Sequence, residues 1–182
     1  MHLKTSAAPD NLPIAGNTGN IADFDDTSVR SSNNKNKGLN MSELHLHPKA
    51  AQSLSQWHTM IRTGDLQALS SLLAPDAVFR SPMAHTPYPG AAVVSMILNT
   101  VSEVFEDFAY HRELATADGL NVVLEFSASV GGKQLKGIDM IRFNEDGKIV
   151  EFEVMVRPLS GLQALGAEMG QRLGAYLAAS KA

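Results

Sequence analysis

The sequence predicts an α+β fold in which helices pack on a curved, mainly antiparallel sheet. Apolar residues recur with a helical period up to about residue 107 and then with a period of two up to about residue 157. Short turn sequences separate the segments of period two: ADG at 117–119, GG at 131–132 and NEDG at 144–147. A last helical pattern covers 160–179. Helices, then a meander of about four strands, then a helix is an α+β order.

Composition limits the possible functions. The 182 residues are 44% hydrophobic, which is enough for one domain with a substantial core. The net charge is −4 and no basic block occurs, so we expect no nucleic-acid partner. There is no cysteine, and this excludes disulfides, thiolate metal sites and cysteine nucleophiles. No apolar run is long enough for a membrane span and no signal peptide is evident, so a cytoplasmic location is expected.

Residues 1–40 differ from the rest of the chain. They are rich in Asn, Ser, Asp and Gly and show no apolar period. This composition indicates a disordered tail, expression-vector sequence, or translation from upstream of a true start at Met41. The folded domain is therefore expected to cover 41–182, with its core at 50–158.

The first helix is predicted at residues 48–63. Leu54, Trp57 and Ile61 form one apolar stripe with the spacing of a core-facing helix. Gly64 is suited to end this helix.

Shorter elements follow. A second helix is predicted at 66–73, ending before Pro75, because its leucines have helical spacing. A short strand at 77–81 and a Pro-rich loop at 81–90 then lead to a third helix at about 91–107.

The sheet is expected to begin after the third helix. Strands are predicted at 108–116 and 121–130, and the second of these places Val122, Leu124, Phe126 and Ala128 on one face. On the first strand, only one of Tyr110 and His111 can point inward, and parity does not say which. Glu125 has the opposite parity and is expected to face solvent or a partner.

The hairpin at 136–158 carries an unusual acid. Asp139 lies on the same face as Ile141 and Phe143, and the second strand presents Val150, Phe152, Val154 and Val156 on its apolar face. An ionised carboxylate among apolar side chains is costly, so such a group becomes neutral, finds a donor or lines a wet cavity. A binding cavity next to Asp139 is therefore the leading hypothesis.

Several motifs in this order resemble the nuclear transport factor 2-like superfamily, especially its SnoaL-like polyketide cyclase and ketosteroid isomerase branches. They are GD at 64–65, LLAPDAVFRSP at 72–82, YPG at 88–90 and DMIRFNEDGKIVEF at 139–152. The resemblance implies a cone-shaped fold whose mouth holds a small, largely apolar molecule. It also implies a homodimer through the outer face of the sheet, where Ile138, Met140, Glu151, Glu153 and Met155 are expected.

The resemblance to ketosteroid isomerase implies catalytic positions one by one. Asp139 matches the acid that opens the D-x-x-R-F strand, which that branch keeps protonated as an oxyanion donor. Ser81 stands where that branch has its Asp base, and Trp57 stands where it has a Tyr. Steroid isomerisation by the family mechanism is therefore disfavoured. Epoxide hydrolysis is disfavoured too, because the limonene epoxide hydrolase branch has an Arg two residues before its corresponding Asp, and Gly137 stands at that position here.

The candidate catalytic residues are Asp139 as acid, base or oxyanion donor and His85 as a second base. Asp139 could instead only line the cavity, accepting hydrogen bonds from Trp57 or Ser81, and His85 could simply be exposed. The expected substrate-binding residues are Trp57, Phe79, Ser81, Met83, Tyr88, Phe105, Leu124, Phe126, Ile141, Phe152 and Val154. Core filling is the alternative for seven of them: Phe79, Met83, Tyr88, Phe105, Phe126, Phe152 and Val154. The pair His45 and His47 lacks a third ligand, so no metal and no cofactor are predicted.

Two functions fit these residues. The first is a cofactor-independent isomerase, cyclase or lyase that acts on a small apolar carbonyl compound, such as a polyketide, steroid or terpenoid, by general acid–base catalysis. The second is a non-catalytic dimeric binding or scaffold module with the same cavity. The serine at the position of the base favours the second function, and the buried acid favours the first.

Overall fold

The computed structural model describes residues 45–179, with side chains up to residue 174. The predicted boundary at residue 40 lies outside this range. Three α-helices pack on a mixed sheet of six strands, which is the predicted α+β architecture. In chain order the elements are α1 (Pro48–Thr63), β1 (Leu73–Arg80), β2 (Tyr88–Pro89), α2 (Ala91–Val104), β3 (Glu106–Ala115), β4 (Asn121–Val130), β5 (Lys133–Phe143), β6 (Ile149–Arg157) and α3 (Leu159–Ala179).

The strand order across the sheet is β2-β1-β6-β5-β4-β3. The predicted antiparallel meander is confirmed for the four strands from β3 to β6. β1 then pairs in parallel with β6, and β2 pairs antiparallel with β1. The strand predicted at 77–81 is therefore longer than expected and joins the same sheet.

The predicted second helix at 66–73 is wrong. Only a three-residue 3₁₀ turn, Leu69–Ser71, forms there, and β1 already begins at Leu73. The carbonyl of Leu72 accepts a hydrogen bond from the amide of Ile149, so pairing with β6 replaces the helical hydrogen bonds. The leucines are still buried, because the turn packs them into the core.

The third helix is shorter than predicted. α2 ends at Val104 rather than at residue 107, because Phe105 is extended and β3 begins at Glu106. Asp107 has a positive φ of 52°, and the pairing of β3 with β4 shifts between Glu106 and Ala109. A bulge therefore joins this helix to the sheet.

The core lies between the inner face of the sheet and the helices. Leu54 and Trp57 of α1 are buried there, as the predicted stripe requires. The inner face of β4 is also buried, and its predicted members Val122, Leu124, Phe126 and Ala128 all belong to the core. None of the helices within residues 45–179 is both long and apolar enough to cross a membrane.

Candidate functional site

A cavity of about 420 Å³ lies between the inner face of the sheet and all three helices. Most of its wall is apolar, and α3 contributes Leu165, Met169 and Leu173. The wall also includes nine of the residues that the sequence nominated: Trp57, Phe79, Ser81, Met83, Tyr88, Phe105, Asp139, Phe152 and Val154.

Four other nominated residues lie outside the wall. Leu124, Phe126 and Ile141 are almost completely buried and fill the core beneath the cavity. Core filling was the alternative for Phe126, whereas Leu124 and Ile141 were expected to bind the substrate, and their burial places them out of its reach. His85 is exposed in the loop between β1 and β2 and does not line the cavity.

Asp139 is the buried acid that the strand pattern predicted. Its side chain is only 6% exposed, and it forms part of the cavity wall. β5 holds it between two neighbouring strands, opposite Leu124 on β4 and Val154 on β6. Because both neighbours are apolar, the backbone pairing itself places the carboxyl in surroundings of low polarity.

The partner of Asp139 is Tyr110. The Tyr110 hydroxyl donates a hydrogen bond of 2.6 Å to Oδ2 of Asp139. Trp57 Nε1 in turn donates to the Tyr110 hydroxyl oxygen at 3.0 Å. The prediction that Trp57 or Ser81 bonds Asp139 directly is therefore wrong, because Trp57 acts through Tyr110. The Ser81 hydroxyl oxygen instead accepts a hydrogen bond from the Met83 amide at 3.1 Å.

These surroundings change the proton affinity of both groups. Burial raises the pKa of Asp139 from 3.8 to about 7, although the hydrogen bond from Tyr110 opposes the rise. Burial and the nearby charge of Asp139 raise the pKa of Tyr110 well above its ordinary value. Tyr110 therefore stays a neutral donor, whereas Asp139 can gain or lose a proton near neutral pH.

Sequence reasoning did not assign Tyr110 to the site, because parity left open whether Tyr110 or His111 points inward. Tyr110 faces inward from β3 opposite Phe126, whereas His111 faces outward and contacts the Ser127 hydroxyl at 2.7 Å. The inward position of Phe126 was predicted, so the register between β3 and β4 would have identified Tyr110. Because β3 has a bulge on each side of residues 109–110, alternation along the sequence does not reveal that register.

As predicted, Glu125 points to the outer face of the sheet, away from the cavity, where its carboxylate pairs with the guanidinium of Arg112.

At the edge of the cavity, Arg172 of α3 donates to the carboxylate of Glu103 of α2 at 3.3 Å. No three potential metal ligands come together within residues 45–179.

Comparison with known proteins identifies the family. The model of the SnoaL-like domain matches residues 54–152, which is more than half of the chain. A search of curated proteins gave no significant match.

Two solved structures are similar to this chain in both sequence and fold. A steroid delta-isomerase from Pseudomonas aeruginosa is 70% identical, with a TM-score of 0.72, over 74% of this chain and 98% of that chain. A protein with a cystatin-like fold from Silicibacter pomeroyi is 32% identical, with a TM-score of 0.63, over 70% and 86% of the two chains.

A more distant likeness concerns the fold alone. The epoxide hydrolase/cyclase-like enzyme SalBIII is 16% identical, with a TM-score of 0.52, over 62% of this chain and 93% of that chain. Isomerase- and cyclase-type proteins thus share this architecture. The chain belongs to the SnoaL-like family of the nuclear transport factor 2-like superfamily.

Proposed function

We propose that the protein is a cofactor-independent enzyme of the isomerase, cyclase or lyase type, which moves a proton next to a carbonyl group of a small apolar molecule. One observation carries this proposal. Asp139 lies in the wall of an apolar cavity, is held by Tyr110 and has a pKa of about 7. A buried acid with this proton affinity suits general acid–base catalysis near neutral pH.

The direction of the hydrogen bonds favours a role of Asp139 as a base. Trp57 donates to Tyr110, and Tyr110 donates to Asp139, so the chain of donors ends on an acceptor. Within the described residues the carboxyl of Asp139 has no other hydrogen bond. Oδ1 is therefore available to take a proton from a ligand in the cavity.

Ser81 is the proposed donor to the substrate. Its oxygen accepts from the Met83 amide, and no described residue accepts its hydroxyl hydrogen. Because Ser81 also lines the cavity, this hydroxyl can donate to a carbonyl oxygen. Compared with ketosteroid isomerase, the acid and base positions thus exchange roles: Asp139 becomes the base and Ser81 the donor.

The proposed reaction proceeds in two steps. The Asp139 carboxylate takes the proton from a carbon next to the carbonyl, and the C–H electron pair forms the carbon–carbon double bond of an enolate. The negative charge moves to the carbonyl oxygen, where it accepts a hydrogen bond from Ser81. Asp139 then returns its proton to another carbon of the conjugated system, and the double bond has moved.

The substrate class follows from the size and lining of the cavity. A volume of about 420 Å³ lies in the range of small-molecule sites, which is roughly 300–1,000 Å³. The wall is mostly apolar, with few polar groups to fix orientation. The similarity to a steroid delta-isomerase makes 3-oxo steroids with an unconjugated double bond the first substrates to test.

The test is proton transfer in heavy water. A 3-oxo-5-ene steroid and a panel of smaller ketones are incubated in D₂O, and deuterium uptake and the absorbance of the conjugated product are followed. Asp139→Asn is expected to lower the rate by about 10²–10⁴-fold. Ser81→Ala is expected to lower it by about 10²–10³-fold. Asp76→Asn, the same change at an exposed position of β1, is the control.

A non-catalytic binding module is the second candidate function. The serine at position 81, where ketosteroid isomerase has its base, favours it. This function predicts that ligands bind but that no deuterium enters any of them. Exchange that persists unchanged in Asp139→Asn would contradict the proposed enzyme mechanism.

We also propose that two copies associate through the outer face of the sheet. Met155 is 48% exposed there and lies opposite Ile138 in the pairing of β5 with β6. This apolar patch next to charged groups is suited to a moderately polar interface. Met155→Lys should therefore convert a dimer to a monomer in light scattering after gel filtration, and a wild-type monomer would contradict the proposal.

A further inference from the structure

A bulge in β3 brings Glu113 to the inner face of the sheet. Tyr110 lies opposite Phe126 and Glu113 lies opposite Leu124, so three steps along β3 match two steps along β4. In a regular strand, residues three positions apart point to opposite faces. The extra residue of the bulge turns Glu113 to the same inner face as Tyr110. Its side chain is only 18% exposed there, where an unpaired charge is costly.

His58 of α1 is the partner of Glu113. Its Nε2 lies 3.0 Å from Oε1 of Glu113, and the His58 side chain is 29% exposed. This nitrogen is buried and has no aligned hydrogen-bond acceptor among the described residues. The contact with Glu113 is therefore electrostatic, and it is strongest when the imidazole is protonated.

The same histidine packs on Tyr110. The centroids of the two rings are 5.5 Å apart and the angle between their planes is 87°. This is the edge-to-face arrangement that aromatic pairs prefer. Trp57, the preceding residue of α1, donates to the Tyr110 hydroxyl. Two consecutive residues of α1 thus hold Tyr110 at different points, Trp57 at the hydroxyl and His58 at the ring.

Neither His58 nor Glu113 reaches the cavity. Its wall contains Tyr110 and Asp139, but neither member of this pair. A ligand in the cavity therefore does not touch the pair, and any influence on a reaction there passes through Tyr110. Burial and Asp139 are the larger causes of the raised pKa of Tyr110, and the charge of Glu113 adds to them. Glu113 thus helps to keep Tyr110 neutral, as a donor to Asp139 must be.

We propose that His58 and Glu113 are positioning residues, which fix the ring of Tyr110 so that its hydroxyl stays directed at Asp139. The bulge supplies Glu113, Glu113 holds the imidazole, and the imidazole contacts the ring of Tyr110. The consequence for catalysis rests on the proposed function, which makes Asp139 the base. The effect on the bond between Tyr110 and Asp139 does not, and it can be measured without a substrate.

The test is a double-mutant cycle read at the carboxyl of Asp139. His58→Leu removes the imidazole, and Glu113→Gln removes the charge with almost no change in shape. Each substitution is made in the wild type and in Tyr110→Phe, and carbon-13 NMR measures the titration midpoint of Asp139 in all of these proteins.

In the wild type, both variants should raise the midpoint of Asp139, because a misdirected Tyr110 hydroxyl lowers it less. The rise should be smaller than in Tyr110→Phe, which lacks the hydroxyl. In Tyr110→Phe, neither variant should move the midpoint further, since the pair acts through that hydroxyl. The controls His111→Leu and Glu106→Gln make the same changes at exposed positions of β3 and should leave the midpoint unchanged.

The sign of the shift in Glu113→Gln is decisive, because loss of a negative charge would by itself lower the midpoint. A fall in this variant would therefore overturn the proposal. An unchanged midpoint, with or without a lower Tm, would show that the pair serves only the fold and would overturn it too. So would shifts of the same size in the wild type and in Tyr110→Phe. Glu113→Gln decides alone if His58→Leu does not fold.

Deuterium exchange provides the catalytic readout. Both variants should lower kcat about tenfold and leave KM within about twofold, because the pair positions the base and does not touch the ligand. A rise in KM with an unchanged kcat would overturn the assignment. A wild type without exchange would contradict the proposed function, whereas the NMR cycle would still decide the role of His58 and Glu113.

Discussion

The hydroxyl of Tyr110 donates to Oδ2 of Asp139 across 2.6 Å, and this bond joins β3 to β5 across the intervening strand β4. It fixes one oxygen of the only buried acid among the described residues. It also opposes the rise in the pKa of Asp139 that burial causes. Tyr110 is therefore a positioning residue that sets both the orientation and the proton affinity of the proposed base.

Tyr110→Phe should raise the pKa of Asp139 above about 7, because the hydrogen bond that lowers the pKa is lost. It should also destabilise the fold by about 1–3 kcal/mol, since the buried N–H of Trp57 loses its acceptor. Carbon-13 NMR titration of the carboxyl groups measures the first effect, with Asp139→Asn to assign the signal. An unchanged or lower midpoint would contradict the role given to Tyr110.

Asp139→Asn should change how stability depends on pH. The folded protein holds the Asp139 proton up to about pH 7, whereas the unfolded chain releases it near pH 3.8. The wild type therefore loses stability as the pH rises from 4 to 7, and the asparagine variant does not. Each pKa unit corresponds to about 1.4 kcal/mol, so the variant should gain up to about 4 kcal/mol over the wild type across this range.

Urea unfolding at pH 4, 5.5, 7 and 8 measures this difference. Asp76→Asn on the exposed face of β1 is the control and should follow the wild type. A difference between Asp139→Asn and the wild type that stays constant with pH would mean that folding does not perturb the Asp139 carboxyl.

The rate of the proposed reaction should rise with pH and level off above about 7, because Asp139 must be ionised to act as a base. The measurement is kcat/KM for deuterium exchange between pH 5 and 9. The same profile for Tyr110→Phe should be displaced to higher pH. A rate that falls above pH 7 would instead assign Asp139 the role of a proton donor.

Gly137→Ala should destabilise the sheet by about 1–3 kcal/mol or more. A Cβ at this position would lie 2.3 Å from the Phe126 ring and 2.6 Å from the backbone oxygen of Met155. Thermal unfolding measures the effect, and Gly170→Ala is a matched control because its Cβ meets nothing. A wild-type Tm for Gly137→Ala would show that the Phe126 ring can move without loss.

Local patterns predicted much of the fold. The alternation in β4 and the turns at 131–132 and 144–147 depend on neighbouring residues, and the structure places these elements as expected. The burial of Asp139 followed from strand parity in the same way. The family resemblance then indicated a cone-shaped fold with a cavity at its mouth, which no local pattern contains.

Long-range pairing explains what the sequence did not reveal. The leucines at 66–73 have helical spacing, but Leu72 and Leu73 pair with Ile149 on a distant strand. The orientation of Tyr110 depends on bulges in β3, and Asp107 gives no sequence signal for its positive φ. The Trp57–Tyr110–Asp139 chain depends on three separate elements, so spacing along the chain cannot predict it.

The parallel pairing of β1 with β6 has a consequence for how the chain folds. It places Arg80 next to Glu151, two residues that are 71 positions apart. The loop between them must close before this pair of strands forms, and domains rich in such distant contacts fold slowly, in milliseconds to seconds. During synthesis on the ribosome, β1 therefore cannot pair with β6 until almost the whole domain has been synthesised.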